Sequence, residues 1–291
     1  MNKLMSIADV VANLTDGMTI GIGGWGPRRK PMALIRAILN SDVKDLTIVA
    51  YGGADVGMLC AAGKVKKVIF AFVSLDFIPL EPFFRQARQS GSIEVMEVDE
   101  GMLLHGLRAA SWGCPFIPTA VGLGTDVLTH NPDIQVINSP YDDKEWVAMP
   151  AIKLDVALVH VNSADQHGVC QINAPDCFMD EWFVRAADKA FVSTENLVDS
   201  DHFYQAEQAN RVHWERNHTT GVVHIPGGAH PTSCQPEYGF DVEHFKAYSR
   251  AAKEGGFSGY AEQFINNQDE QAYQSAVGGL AYIQSLALPV Y

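Results

Sequence analysis

Three groups of residues have the types and spacing to do chemistry. The first is a glycine turn backed by cations. Gly21-Ile22-Gly23-Gly24-Trp25-Gly26 leads through Pro27 into Arg28, Arg29 and Lys30, and Pro31 opens "PMALIRAIL". Backbone N–H groups at Gly23 and Gly24 suit a developing oxyanion or enolate, because a glycine lets a ligand come close to the main chain. Arginine forks match carboxylates and phosphates, so Arg28 and Arg29 suit either anion; a solvated turn is the plainer reading. The second group is the acidic run Glu94, Glu97, Asp99 and Glu100, where a strand-like segment passes into "GMLLHGLRAA". A carboxylate at such a turn activates water held within roughly 2.6 to 3.2 Å. Glu100 has that address and Glu97 is its main competitor, although Glu100 equally suits a helix dipole with Asp99 as N-cap. The third group, His160, Asn162, Asp165 and His167, has metal-ligand types but no tetrahedral spacing, and no metal is expected.

These groups must be positioned by alternating elements. Strands are expected at Thr19–Gly23, Leu46–Ala50, Val68–Phe72, Ile93–Val98, Val156–Val161 and Lys189–Val192, after a first helix over Ile7–Leu14. Pro31 suits a first helical turn, where its missing N–H has no partner to lose. Short β-branched runs separated by helical stretches predict an α/β protein with a mainly parallel sheet covered on both faces. Ligands in such sheets lie beyond the carboxyl ends of strands. Three glycine turns have that form: "GIGGWG", "YGGADVG" and "VGLGTDV". Tyr51, Gly52 and Gly53 in the second are expected to line the pocket, although a plain tight turn explains them as well. One domain over residues 1–291 is expected, with a helical extension from about Asp241.

Composition limits the function. A net charge of −13 argues against nucleic acid and makes the basic triplet unusual. No apolar run reaches a bilayer's span, and the first residues read as an amphipathic helix without a cleavage site. Five scattered cysteines suggest reduced thiols. A cytoplasmic location is expected. Gly21 to Gly26 satisfies G-x-G-x-x-G, but Pro27 and Pro31 delay the helix by about a turn, and the second strand ends in Ala50 and Tyr51 with no acid. A nicotinamide or flavin site is therefore not favoured.

A wider pattern accounts for more of the chain. "DGMTIGIGGWGPRRKP" resembles the signature of family I coenzyme A transferases, agreeing at Asp16, Gly17, Ile20, Ile22, Gly23, Gly24 and Pro31. It departs at Gly21, Trp25 and Arg29, the last standing where the signature has glycine. "GLGTDVL", "HVNSADQHGVCQIN", "DKAFVSTENLV" and "PGGAHPTSCQPEYG" look like blocks of the family's alpha subunits, in order. The resemblance implies a three-layer α/β/α fold of the NagB/RpiA/CoA-transferase-like kind. It also implies a homologous beta subunit, an α2β2 assembly, and coenzyme A as part of the substrate with no other cofactor. In the transferases a beta-subunit glutamate in Ser-Glu-Asn-Gly is the nucleophile. Here "STENLV" has Glu195 without that glycine, and Glu195 is expected to be structural or interfacial.

Within the family, "GGWGPRRKPMALIRAIL" and "EVDEGMLLHGLRAA" resemble the alpha subunits of ring-cleaving hydrolases of bacterial steroid catabolism. That resemblance implies water-dependent cleavage of a cyclic β-keto CoA thioester, with Glu100 as the acting carboxylate. Gly23, Gly24, Trp25, Gly26, Arg28, Arg29, Lys30, Tyr51, Gly52 and Gly53 are then expected to bind the thioester. Arg28 and Arg29 would hold the substrate's propionate arm or a CoA phosphate. Lys64, Lys66 and Lys67 are expected to be a solvated face, with CoA contact as the alternative, and His230 is expected to be structural. Two other readings stay open: the alpha subunit of a true CoA-transferase, and a non-catalytic CoA-binding subunit.

Overall fold

In the first strand, isoleucines face one way and glycines the other, and that asymmetry organises the layers. The computed structural model describes residues 1–254, 256–266 and 269–288. Its strands are β1 (Thr19–Trp25), β2 (Leu46–Gly52), β3 (Val65–Val73), β4 (Glu94–Glu97), β5 (Phe116–Thr119), β6 (Gln135–Asn138), β7 (Glu145–Pro150), β8 (Leu154–Ala164), β9 (Cys170–Gln171), β10 (Ala187–Leu197) and β11 (Gly221–His224). The main sheet runs β11-β10-β8-β1-β2-β3-β4, all parallel, with β9 antiparallel to β8. The helices are α1 (Ile7–Val11), α2 (Met32–Leu39), α3 (Ala54–Ala61), α4 (Pro82–Ser90), α5 (Glu100–Ser111), α6 (Val127–His130), α7 (Asp180–Ala186), α8 (Ala206–Ala209), α9 (Val242–Glu254), α10 (Phe257–Phe264), α11 (Glu270–Ala276) and α12 (Leu280–Gln284).

Successive strand residues point to opposite faces, so each face carries its own core. Ile20 and Ile22 pack with residues of α2, α3, α4 and α9, whereas Val49, Tyr51, Val159 and Phe183 pack with α5 and α7. The result is a three-layer α/β/α arrangement. On the α7 side of β1 there is no room for side chains. A Cβ on Gly21 would lie 2.4 Å from Leu154 Cδ1, and one on Gly23 would lie 2.5 Å from Asp180 Oδ1. The glycines therefore let α7 close onto the strand.

Five strands, β1, β2, β3, β8 and β10, extend beyond their expected bounds, β4 falls within its own, and one region was not foreseen. β3 begins at Val65 rather than Val68, and β10 covers Ala187–Leu197 rather than Lys189–Val192. The segment from Phe116 to Pro150 forms a separate antiparallel sheet, β5-β7-β6. Its edge strands carry exposed Phe116 and Val136 as well as Pro118, a composition that reads as loop in sequence. The first helix stops at Val11 instead of Leu14; its start is fixed by a capping box between Ser6 and Asp9. Among the described residues no helix is long and apolar enough to cross a membrane.

Glu81 joins the C-terminal helices to this frame. It caps α4 by accepting the Phe84 N–H at 2.6 Å, and it accepts the Tyr248 hydroxyl of α9 at 2.7 Å. Burial, only partly offset by these donors, pushes its carboxyl up to about 7 from an ordinary 4.5. The folded state thus binds this proton more tightly than the unfolded chain. The associated stability is fully present below about 4.5 and is lost as pH rises through about 7. We expect Glu81→Gln, neutral throughout, to gain on the wild type in unfolding free energy between pH 5 and pH 8. Denaturant titrations giving a pH-independent difference would rule this out.

Candidate active site

The anion in the glycine turn belongs to the chain itself. Asp180, the first residue of α7, accepts the Gly24 N–H at 2.7 Å through Oδ1 and pairs with Arg29 Nη1 at 2.6 Å through Oδ2. Both side chains are buried, and Arg29 also donates to the carbonyls of His160 at 3.2 Å and Asp176 at 3.3 Å. Burial raises the Asp180 carboxyl to about 6, against the pull of Arg29 and the Gly24 amide. Above that value the two groups form an enclosed ion pair. Gly24 and Arg29 take left-handed backbone angles, φ +75° and +47°, and a Cβ on Gly24 would meet the Arg28 carbonyl at 2.5 Å. Only glycine fits at position 24.

The basic triplet consequently points three ways. Lys30 is wholly enclosed with its ammonium 3.1 Å from Asp55 Oδ2, and burial pulls it below the ordinary lysine range. Arg29 is held by Asp180. Arg28 alone is partly exposed, paired with Asp76 in the loop after β3. Arg28, Arg29 and Trp25 line a cavity of about 480 Å³, closed on the far side by Asp176, Phe178 and Gln235. Arg29 Cζ lies 5.1 Å from the centre of the Phe178 ring. Of the triplet, Lys30 is excluded from this cavity by its burial.

The second glycine turn supports the first instead of lining the cavity. Gly26 donates to the Tyr51 carbonyl at 3.2 Å, and a Cβ on Gly53 would come within 2.4 Å of the Gly26 oxygen. Gly52 is packed against Val56 in the same way. Tyr51 is fully buried and stacks on Trp25 with ring centres 4.8 Å apart. Its hydroxyl donates to the Glu100 carbonyl at 2.9 Å, while burial and the Glu100 and Asp99 carboxylates push the phenol well above its usual range. Tyr51 is therefore a permanent donor, tying the start of α5 to the ring that forms the cavity wall.

Glu100 is exposed at the first turn of α5, and Asp99 caps that turn by accepting the Gly101 N–H at 2.7 Å. Partial burial, with Asp99 adding repulsion, raises the Glu100 carboxyl. A raised carboxylate is a better proton acceptor at neutral pH. Its rival Glu97 is paired with Arg88 at 2.5 Å, and Glu94 lies at the opposite end of β4 beside Lys67. Lys66 and Lys67 sit at the amino end of β3, at the opposite end of the sheet from the glycine turn, and Lys64 donates to the Ser41 carbonyl.

The remaining polar candidates are engaged within the chain. Glu195 is buried, with Oε1 accepting from Tyr238 at 2.5 Å and lying 2.8 Å from His160 Nε2, and Oε2 accepting the Gly227 N–H at 2.7 Å. Asn162 donates to the Gln235 carbonyl at 2.8 Å. Asp165 accepts the N–H groups of His167 and Val169, each at 2.9 Å. His230 lies between Tyr273 at 2.7 Å and Asp241 at 3.2 Å. Two buried clusters, His160 with Glu195 and Cys234, and His230 with Asp241 and His244, have metal-ligand types within 4.8 Å. The His160, Glu195, His230 and Asp241 side chains are held by these hydrogen bonds, and His244 pairs with the Tyr260 hydroxyl at 2.7 Å. Asp180, Asp76 and Asp55 were not singled out from sequence; a sequence signal for Asp180 is lacking, since it meets Gly24 across 156 positions.

Removing one member of the Arg29 and Asp180 pair leaves a buried charge unpartnered, at a cost of about 3–5 kcal/mol. Asp180→Ala should lose stability on that scale, and Arg29→Met combined with Asp180→Leu should lose much less than the sum of the single variants. Additive losses in chemical denaturation would show that the pair is not a unit.

Comparison with known proteins places the chain among relatives. Residues 4–223 match the family model described as coenzyme A transferase. The cholesterol ring-cleaving hydrolase IpdA subunit of Rhodococcus jostii (strain RHA1) is 42% identical over 98% of both chains. That of Mycobacterium tuberculosis (strain ATCC 25618 / H37Rv) is 43% identical over 95% of this chain and 97% of its own. The glutaconate coenzyme A-transferase structure from Acidaminococcus fermentans superposes with a TM-score of 0.91 at 23% identity, covering 99% of this chain and 96% of that one, which shows a shared fold. The chain belongs to the coenzyme A transferase family.

Proposed function

We propose that this chain is the alpha subunit of a hydrolase that opens a cyclic β-keto CoA thioester, derived from a steroid ring, by water-dependent carbon-carbon cleavage. The observation that carries the reading is the 42–43% identity, over nearly the whole length, to subunits named as cholesterol ring-cleaving hydrolases. The word "subunit" in those names supports a partner, taken to be a homologous beta chain in an α2β2 assembly. The five free cysteines accord with a cytoplasmic setting.

Glu100 is the base in this proposal. It takes a proton from water as the oxygen adds to the ring ketone, and collapse of the adduct breaks the bond to the thioester's α-carbon. The new carboxylic acid carries the water oxygen, and the thioester enolate is protonated on carbon. The raised Glu100 carboxyl supports this role. Because the Gly24 N–H already serves Asp180, its expected part in holding the oxyanion passes to other donors, including those of the partner. Arg28 on the cavity wall is the cation proposed for an anionic acyl group, with Trp25 as its apolar neighbour. Arg29, Lys30, Gly23, Gly24, Gly26, Tyr51, Gly52 and Gly53 are proposed to shape the turn that presents them.

General-base groups typically contribute 10²- to 10⁴-fold. Glu100→Gln, purified with the partner chain, should lower kcat by about that factor with little change in thioester binding. Full turnover in this variant would remove Glu100 from the mechanism and favour a non-catalytic, CoA-binding role.

A further inference from the structure

A second cavity, of about 670 Å³, lies between α4 and α9 on the same end of the sheet as the glycine turn. Its walls carry Arg85 from α4 and Lys246, Arg250 and Lys253 from α9, with Ile78 and Leu80 along one lip. Residues 246, 250 and 253 recur at helical spacing, so the three α9 cations share one face. All four cations are exposed. The chain has 21 lysines and arginines against 34 acids, so four cations in one hollow run against its overall charge.

The acids near this hollow offset only part of its charge. Glu243 pairs with Lys246 at 2.7 Å, and Glu254 stands with Arg250 in the neighbouring depression. Glu81 lies beneath, buried and bonded to Phe84 and Tyr248. Like charges three and four residues apart on a helix repel, and a bound anion relieves that repulsion. Arginine forks match phosphate oxygens, while the lysines add point charges. Ile78 and Leu80, the latter 59% exposed, add an apolar edge suited to a flat base.

Position ties this hollow to the first cavity. Arg28 is paired with Asp76, and the chain runs from Asp76 through Phe77, stacked on Phe240, to Leu80 on the lip. Four residues span at most about 14 Å. An extended pantetheine arm covers that distance.

We propose that Arg85, Lys246, Arg250 and Lys253 seat the phosphate groups of the CoA thioester, whose acyl end enters the cavity beside Trp25 and Arg28. The inference rests on the thioester function proposed above. The test uses the assembled complex and the triple variant Lys246→Gln, Arg250→Gln, Lys253→Gln, all on exposed positions. KM for the CoA thioester should rise at least tenfold with kcat unchanged, while both parameters for the matching pantetheine thioester, which lacks the nucleotide, stay as in wild type. An unchanged KM, or an equal rise for both thioesters, overturns the proposal. Calorimetric titration with adenosine 3′,5′-bisphosphate reads the groove without turnover. The wild type should bind it at least tenfold more tightly than the variant and more tightly than inorganic phosphate. Equal binding by wild type and variant, or equal affinity for inorganic phosphate, overturns the assignment. Absence of turnover with every thioester would instead count against the proposed function, and the titration would then decide the groove alone.

Discussion

A carboxylate inside the glycine turn is the constraint on which the rest of the site depends. Asp180 binds the Gly24 amide and the Arg29 guanidinium together, and can do so only because Gly21 and Gly23 leave α7 free to close on β1. The anion makes a buried arginine tolerable, since an enclosed charge persists only with a partner. It also sets the backbone through Gly24 and Arg29, and so decides where the neighbouring cations go. Lys30 turns inward to Asp55, and Arg28 turns out to the cavity wall and Asp76.

From this turn the aromatic rings carry the geometry sideways. Trp25 stacks on Tyr51, and Tyr51 holds the carbonyl of Glu100. The cavity at the end of β1 and the candidate base after β4 are thus linked through Tyr51 of β2 by one stack and one hydrogen bond. Gly53 lets the two turns touch, because a single methyl there would strike the Gly26 carbonyl.

Much of the frame was legible from the residues alone. The parallel sheet, the helix opened at Pro31 and the Asp99 cap ahead of Glu100 each follow from local patterns of proline, β-branching and acid placement. The small antiparallel sheet was not legible, because Phe116 and Val136 on its edge strands are exposed and break the usual alternation. The occupant of the glycine turn was not legible either. Glycines, cations and an apolar strand advertise an anion site, but nothing local says that the anion lies 156 residues downstream in the same chain. Glu195 is the converse case: its motif lacks a glycine, and its oxygens are taken up by Tyr238, His160 and Gly227.

In the proposed reaction water, not a second carboxylic acid, attacks the acyl substrate. The direct measurement is a turnover in oxygen-18 water by the chain assembled with its partner, given a cyclic β-keto CoA thioester and an added free acid. Hydrolysis should leave solvent label in the new carboxyl group of the ring-opened product. Transfer of CoA to the added acid, with no solvent oxygen in the acyl product, would contradict it.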